Sequence, residues 1–285
     1  MDLLKFRLIT AEIMLASASL ILAAGPSLQL TKLLYLIVFG YMGLGGSAAI
    51  NSYLDRDIDA IMPRTADRPI PSGRIRPRNA LTFGISLITL AIALTSLLLN
   101  PLTAAIVGIG SFLYIVFYSI YLKRRTSMAV VWGGLAGAIP ALGGWSVYTE
   151  SYWIIPILIF LVVFFWQPSH FWNLSIYYRD DYMAAKIPVG PAVKEQSVIT
   201  AQSLAFNIAT VSVTYLLYFV SHLSVEFFAT ITVMNAFLLY FSVKGIGNNR
   251  KEFYRISFFF SVTYIFIFII ALAISGIILP HSYIN

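Results

Sequence analysis

The stretch "INSYLDRDIDAIMPRTADRPIPSGRIRPR", residues 50–78, places four aspartates and six arginines directly after a hydrophobic run. The rest of the chain is unlike it, because 59% of the 285 residues are hydrophobic and only 11% are charged. This composition excludes an ordinary soluble domain and indicates a protein that crosses a membrane several times. A charged segment in such a chain is a candidate functional site.

Windows of about 20 apolar residues, the length that spans a bilayer core, predict nine helices. They lie near residues 8–25, 33–53, 80–99, 101–121, 127–147, 152–177, 197–220, 224–243 and 255–278. The first resembles a signal peptide, but Glu12 interrupts it and similar runs recur along the chain. The predicted fold is all-α: a polytopic membrane protein, a bundle of nine transmembrane helices, with a single domain over residues 1–285.

The basic residues predict the orientation of these spans. With nine spans, every lysine and arginine except Lys32 falls on one side of the membrane, whereas an eight-span arrangement scrambles this sorting. By the positive-inside rule that side is cytoplasmic, which places the N-terminus inside and the C-terminus outside. The net charge of +7 is explained by this topology and does not indicate nucleic-acid binding. The absence of cysteine excludes disulfides and thiolate ligation of a metal.

Oxygen-bearing side chains recur every fourth residue at the end of the second span. Asn51, Asp55 and Asp59 fall on one face if the helix continues, each about 40° from the next, whereas Asp57 points elsewhere. Carboxylate and amide oxygens are suited to Mg²⁺, which takes further ligands from substrate phosphates. The alternative is that acidic and basic side chains only neutralise one another in a solvated loop.

Arginines follow the aspartates closely, at positions 64, 68 and 74. Carboxylates for a metal beside arginines for phosphate oxygens make a combination suited to a diphosphate. Lys123 and Arg125, in the basic loop before the fifth span, can also reach a phosphate, although topology alone explains a basic loop.

A second polar segment, "WQPSHFWNLSIYYRDDYMAAKIP", ends the sixth predicted span. It emerges on the same side as the first, so Asp180 and Asp181 can face the first acidic cluster and share a metal-bound diphosphate with it. A solvated helix boundary is the alternative. His170 lies inside the span, where ionisable groups are functional candidates, although a lone histidine is more often a hydrogen-bonded structural residue.

These parts favour an enzyme acting on a prenyl diphosphate, whose tail lies among the helices. Ionising an allylic diphosphate requires stabilisation of the leaving group and exclusion of water. A cation-coupled transporter is the alternative from a different class, but transporters place their ion sites near the bilayer midplane, whereas these aspartates lie at the ends of spans.

The stretch "NSYLDRDIDAIMPRTADRPIPSGRI" resembles the first aspartate-rich signature of the UbiA superfamily of intramembrane prenyltransferases, whose members have nine transmembrane helices. The segments "LKRRT", "GGLAGAIPALGGW", "HFWNLSIYYRDDYMAAKIP" and "NRKEFYRISFFFSVTYIF" are similar to its haem-farnesylating branch. The resemblance covers almost the full chain. It implies Mg²⁺-dependent transfer of a farnesyl group from farnesyl diphosphate to a vinyl group of haem B, with addition of water, to give haem O.

The resemblance also implies roles for single residues. The expected metal ligands are Asn51, Asp55, Asp59 and Asp181, and the expected catalytic residues are Asp55, Asp59, Asp181, Arg64 and Arg68. The expected substrate-binding residues are Asn51, Arg64, Arg68, Lys123, Arg125, His170, Trp172, Asp180 and Lys186. Ala185 stands where many relatives have a further aspartate, so Asp180, Lys186 or solvent is expected to compensate.

The partners implied by the resemblance are farnesyl diphosphate, haem B, membrane lipid and a haem A synthase or terminal-oxidase assembly partner. The implied location is the cell membrane, with the active site toward the cytoplasm. A relative that prenylates a quinone precursor or a glycerol-phosphate lipid is the nearest alternative. The acceptor pocket around His170 and Trp172 discriminates between them.

Overall fold

A computed structural model describes residues 2–278, and within that range the chain forms twelve α-helices and no strand. The helices are α1 (Phe6–Ala24), α2 (Leu30–Leu54), α3 (Arg56–Ile61), α4 (Pro77–Leu98), α5 (Pro101–Phe112), α6 (Ala129–Ser146), α7 (Ile154–Tyr177), α8 (Arg179–Ala184), α9 (Gly190–Val193), α10 (Gln196–Ser221), α11 (Val225–Gly245) and α12 (Lys251–Ile278). Helix α5 continues directly into a π-helix, Leu113–Leu122. The all-α prediction is confirmed.

Eight stretches of the described chain are long and apolar enough to cross a membrane. They are Ile9–Ser27, Leu30–Leu54, Pro77–Leu98, Pro101–Leu122, Ile154–Tyr177, Gln196–Ser221, Val225–Gly245 and Lys251–Ile278. Each corresponds to one of the predicted spans, with boundaries that differ by a few residues. The C-terminal segment 279–285, which the orientation prediction places outside the membrane, lies outside the described residues.

The fifth predicted span, residues 127–147, corresponds to α6, which is not among those eight. Helix α6 has 18 residues, and five of them are glycine, which adds little hydropathy. It packs against α1, α5 and α7, so neighbouring helices take the place of lipid around much of its surface. The count of nine crossings stays a prediction for this reason.

The tight turn between α4 and α5 is built by Asn100. Its side-chain oxygen accepts a hydrogen bond from the Thr103 amide at 2.7 Å, which caps the first turn of α5. Its side-chain nitrogen donates to the Ser146 carbonyl at 2.8 Å, which ties this turn to the end of α6. Pro101 follows at the first helical position, where its fixed φ favours a helix start.

The close approach of α6 to α1 depends on Gly144. A β-carbon at this position would lie 1.9 Å from the Ala16 carbonyl oxygen, which is backbone and cannot move aside alone. The neighbouring Gly143 is different, because its β-carbon would lie 3.6 Å from the Ile106 side chain, an ordinary contact. Small residues commonly permit such close helix contacts in membrane proteins.

We expect Gly144→Ala to lower the stability of the bundle by about 1–3 kcal/mol, because the added methyl group forces α1 and α6 apart. Gly143→Ala is the matched control: it makes the same change on the same helix without the clash. Thermal unfolding of both purified variants in detergent provides the measurement. Equal midpoints for the two variants would contradict this account of the α1–α6 contact.

Candidate active site

A cavity of about 460 Å³ lies inside the bundle. Its walls come mainly from α1, α2, α5, α6 and α7, with α12 contributing at the apolar side. Charged and amide side chains gather where α2 meets α3, and most of the remaining lining is aliphatic, aromatic or glycine. The volume is in the range of small-molecule sites, roughly 300–1,000 Å³.

Asn51, Asp55 and Asp59 lie on one face and line this cavity. Helix α2 ends at Leu54 and α3 begins at Arg56, but helical bonding continues across the break. The Asp55 amide donates to the Asn51 carbonyl at 2.9 Å, and the Asp59 amide donates to the Asp55 carbonyl at 2.8 Å. The three residues are only 1%, 2% and 4% exposed, so the helical face that they share lies in the protein interior.

Both buried carboxylates have a basic partner. The Lys123 ammonium donates to Asp55 Oδ2 at 2.5 Å, and Arg68 Nη1 donates to both oxygens of Asp59 at 2.7 and 2.8 Å. Breaking one side of a buried ion pair typically costs about 3–5 kcal/mol, because a charge is left uncompensated. Each of these buried carboxylates is therefore compensated by a basic side chain.

Asn51 is held from two directions. Its side-chain oxygen accepts a hydrogen bond from the Lys5 ammonium, and its nitrogen donates to Ser119 Oγ at 2.9 Å. Ser119 belongs to the π-helix, and its hydroxyl donates back to the Tyr114 carbonyl at 2.8 Å. These contacts fix the amide with its oxygen toward the cationic side of the cavity.

Lys5 also lies at this end of the cavity, although the sequence analysis counted it only among the basic residues that predict the orientation. Burial lowers the pKa of its ammonium to about 8, an effect that the Arg68 cation adds to and the Asp55 carboxylate opposes. Lys5 lines the cavity beside Asn51 and Asp55. A lysine immediately before the first span was the only signal available, and topology explained it equally well.

The donor set fits a divalent cation that also binds substrate phosphates. Asp55 Oδ1 is buried and has no hydrogen-bond partner, although Oδ2 of the same carboxylate is paired with Lys123. Within residues 2–278, no three His, Asp or Glu side chains gather closely enough to hold a metal by themselves. Two carboxylates and one amide are hard oxygen donors, so a Mg²⁺ ion here would complete its shell with water or phosphate oxygens.

Asp57 faces away from the cavity, as the spacing predicted. Its carboxylate receives two hydrogen bonds from Arg124, at 2.6 and 2.7 Å, and its side chain is 60% exposed. The bond from Arg124 lowers the pKa of Asp57 to about 2. Asp57 therefore fits the alternative in which acidic and basic side chains only neutralise one another at the surface. The buried Asp55 and Asp59 do not fit it.

Arg64 connects the first polar segment to the second. It lines the cavity, donates from Nη2 to the Tyr182 hydroxyl at 3.0 Å and lies 5.4 Å from the centre of the Tyr178 ring. Asp181 immediately precedes Tyr182 and is partly buried, but it does not line the cavity. Asp180 is exposed and pairs with Lys251 at 2.7 Å, which holds its pKa below the usual range.

Three further predicted substrate-binding residues lie outside the cavity lining. Arg125 is exposed over the Tyr121 ring, and Lys186 is exposed at a left-handed backbone position with φ of 54°. Trp172 is 1% exposed and packs with Ile199 and Tyr254, on the side of α7 facing α10 and α12. The structure does not bring these three side chains to the carboxylates.

His170 does line the cavity, in its apolar part. The imidazole is stacked between Trp166 and Phe258, with ring centres at 4.4 and 4.6 Å. Its Nδ1 is hydrogen-bonded to Ser261 Oγ at 2.6 Å. The side chain is therefore held in one orientation by structural contacts and also lines the cavity, and its role in binding substrate stays a prediction.

The cavity walls also contain groups that sequence reasoning did not single out. Tyr114 and Tyr118 stack at 6.0 Å between ring centres on the π-helix. The Tyr118 ring lies against Gly133, whose β-carbon would approach it to 2.4 Å. Glu12 of α1 lines the apolar part of the cavity. Of these three residues, only Glu12 could have been recognised from the sequence, because a carboxyl inside a membrane span is a functional candidate by default.

A membrane-embedded cavity with buried carboxylates and cations at one end and an apolar body behind them defines an enzyme for a phosphorylated substrate with a hydrocarbon tail. The profile of the UbiA prenyltransferase family matches residues 13–270. The chain belongs to that family and is a prenyltransferase.

Individual relatives agree with this assignment. A protoheme IX farnesyltransferase of Streptomyces avermitilis is 38% identical over 258 residues, which cover 87% of this chain and 83% of the relative. A digeranylgeranylglyceryl phosphate synthase structure superposes with a TM-score of 0.80 at 18% identity, covering 98% of this chain and 97% of the other. A UbiA homologue of Archaeoglobus fulgidus, bound to DMAPP and Mg²⁺, superposes with a TM-score of 0.67 at 16% identity, covering 96% and 98%. The two structures establish the shared fold.

We expect Asp55→Asn to lower metal-dependent turnover of a prenyl diphosphate by about 100-fold or more, because a metal-held leaving group is worth several kcal/mol. Asp57→Asn is the matched control, and it should leave turnover close to that of the unmodified protein, since an exposed ion pair contributes little. Diphosphate release at increasing Mg²⁺ concentrations checks both. Equal losses in the two variants would contradict the assignment of Asp55 to the site.

Proposed function

We propose that this protein transfers a farnesyl group from farnesyl diphosphate to a vinyl group of haem B, with addition of water, to give haem O. The observation that carries prenyl transfer is the single cavity in which a cationic, carboxylate-bearing end continues into an apolar body. The haem acceptor is supported by the relative at 38% identity, a protoheme IX farnesyltransferase. Membership of a prenyltransferase family decides against the cation-coupled transporter.

The diphosphate lies at the cationic end. Lys5, Arg64, Arg68 and Lys123 all line that part of the cavity and can donate to phosphate oxygens. Arg68 and Lys123 are bound to the carboxylates, so each basic group is already oriented before substrate arrives. Preorganised donors of this kind stabilise the charge that develops on a leaving group.

The residues that would hold a Mg²⁺ ion are Asn51, Asp55 and Asp59. The unpartnered Asp55 Oδ1 is the oxygen best placed for it, because Lys123 occupies only Oδ2. When bound, the ion adds positive charge beside the diphosphate and so favours its departure. Asp181, which lies beside Tyr182 but outside the lining, remains a proposed further ligand.

The apolar body protects the reacting carbons from bulk water. Breakage of the allylic C1–O bond leaves its electron pair on the diphosphate, and the vinyl electrons of the acceptor then bond to C1. Tyr114 and Tyr118, on the π-helix, also line the cavity, where their ring faces favour a nearby cation. His170, fixed by Trp166, Phe258 and Ser261, is the proposed acceptor-side residue.

The protein is a multi-pass membrane protein, and we propose that it lies in the cell membrane with the diphosphate end toward the cytoplasm. The four basic residues at that end belong to the set that the positive-inside rule assigns to the cytoplasmic side. A haem A synthase or a terminal-oxidase assembly factor is the proposed partner that takes the product.

Incubation of the purified protein with haem B, farnesyl diphosphate and Mg²⁺, followed by mass spectrometry of the extracted haems, tests the activity. The expected product is heavier than haem B by a farnesyl group and one water, and it should be absent without Mg²⁺ and with Asp55→Asn. Release of diphosphate without a modified haem would reject the acceptor and direct attention to quinone precursors and glycerol-phosphate lipids.

The orientation is testable because the chain contains no cysteine. We expect Asn249→Cys, near the diphosphate end, to react with a membrane-impermeant maleimide in inverted vesicles but not in intact cells. Ser151→Cys, in the exposed turn between α6 and α7, should show the opposite pattern. Labelling of Asn249→Cys in intact cells would reverse the proposed orientation.

A further inference from the structure

Glu12 is the one carboxyl in the cavity lining, among the described residues, that the proposed diphosphate site does not use. The lining contains three acidic side chains, and the other two are Asp55 and Asp59. Glu12 lies within the first membrane stretch, on the face of α1 that also presents Ala11, Leu15 and Ala16 to the cavity. Its immediate lining neighbours on that helix are apolar.

Glu12 makes no hydrogen bond or ion pair with another side chain within residues 2–278. This distinguishes it from Asp55 and Asp59, which both have cationic partners. An ionisable group inside a membrane protein is costly to place without compensation, and such groups line substrate paths or cavities. A positive charge that forms inside the cavity would compensate a carboxylate at this position.

The position of Glu12 separates it from the diphosphate end. Glu12 follows Lys5 by seven positions along the start of α1, a rise of about 10 Å. Glu12 does not form a metal-binding group with the aspartates. Tyr114 lines the same cavity as Glu12 and Asp55. Glu12 thus faces the part of the cavity beyond the leaving group, where the acceptor must approach C1.

We propose that Glu12 is the general base for the addition of water in the reaction proposed above. After the vinyl electrons bond to C1 of the farnesyl group, the remaining positive charge lies on the vinyl carbon attached to the macrocycle. The oxygen of a water molecule bonds to this carbon, and the Glu12 carboxylate accepts the proton that the water loses. The product carries the hydroxyl group, and protonated Glu12 then returns its proton to solvent.

This role accounts for both the isolation and the location of Glu12. A carboxylate without a permanent cation is stabilised when the substrate itself becomes positive, so its favourable interaction appears during the reaction. The same carboxylate fixes where a water molecule is held in a cavity that otherwise excludes water. Without a base, the cationic adduct loses a proton from carbon instead, which gives an alkene that lacks the added water.

The test compares Glu12→Gln, Glu12→Asp, Glu150→Gln and Asp55→Asn in the assay with haem B, farnesyl diphosphate and Mg²⁺, with diphosphate and haem products measured in parallel. Glu12→Gln should lower haem O formation by about 100-fold or more, since general bases typically contribute 10²–10⁴-fold. Diphosphate release should fall much less, and a farnesylated haem lighter than haem O by one water should accumulate. Glu12→Asp should recover part of the hydrated product, and Glu150→Gln, at an exposed glutamate, should behave like the unmodified protein.

Two results with Glu12→Gln would overturn the proposal. One is haem O formation at the unmodified rate. The other is loss of diphosphate release as complete as in Asp55→Asn, which would assign Glu12 to the folding of the site; thermal unfolding of the variant identifies a misfolded protein directly. Failure of the proposed function is distinguishable, because the unmodified protein would then release diphosphate without forming haem O. In that case both the haem acceptor and the role of Glu12 in hydration are rejected, whereas the proposed metal–diphosphate site is retained.

Discussion

Two carboxylates buried where α2 meets α3 impose a requirement on the rest of the bundle, since each needs a cation beside it. Arg68 is local and reaches Asp59 through the turn after α3. Lys123 is distant in sequence. It reaches Asp55 because it directly follows the π-helix, which ends at this end of the cavity. Lys5 completes the arrangement from the start of α1. Three separate segments are thus drawn together by the charge of one helical face.

The arrangement divides the cavity into two regions with different chemistry. At the carboxylate end, basic groups are fixed by ion pairs and remain able to bind phosphate oxygens. Away from the carboxylates the walls are mostly apolar. The polar exceptions include Gln167, His170, which is held by Ser261, and Glu12, which has no side-chain partner. A reaction that begins with departure of an anion and continues with capture of a cation needs both regions in one continuous space.

Local patterns in the sequence predicted the parts that depend on local structure. Hydropathy located the helices because a lipid environment demands long apolar segments, and it was least decisive for α6, where glycine and helix neighbours replace lipid contact. The spacing of Asn51, Asp55 and Asp59 predicted a shared face because helical bonding does continue through Asp55. Contacts that join distant segments were not predictable in the same way. Neither the bond from Lys5 to Asn51 nor the exposure of Asp180 and Lys186 follows from a period in the sequence, and nothing marked residues 113–122 as a π-helix.

Because the chain is synthesised from its N-terminus, Asp55 is made before the lysine with which it pairs. Lys5 precedes Asn51 by 46 residues and is already present when α2 emerges, whereas Lys123 follows Asp55 by 68 residues. At translation rates of about 5–20 residues per second, Asp55 waits several seconds for its permanent partner. During that interval Lys5 is among the basic residues in the segment already made. Lys5, which contacts Asn51 in the folded protein, is thus made well before the pair between Asp55 and Lys123 can form.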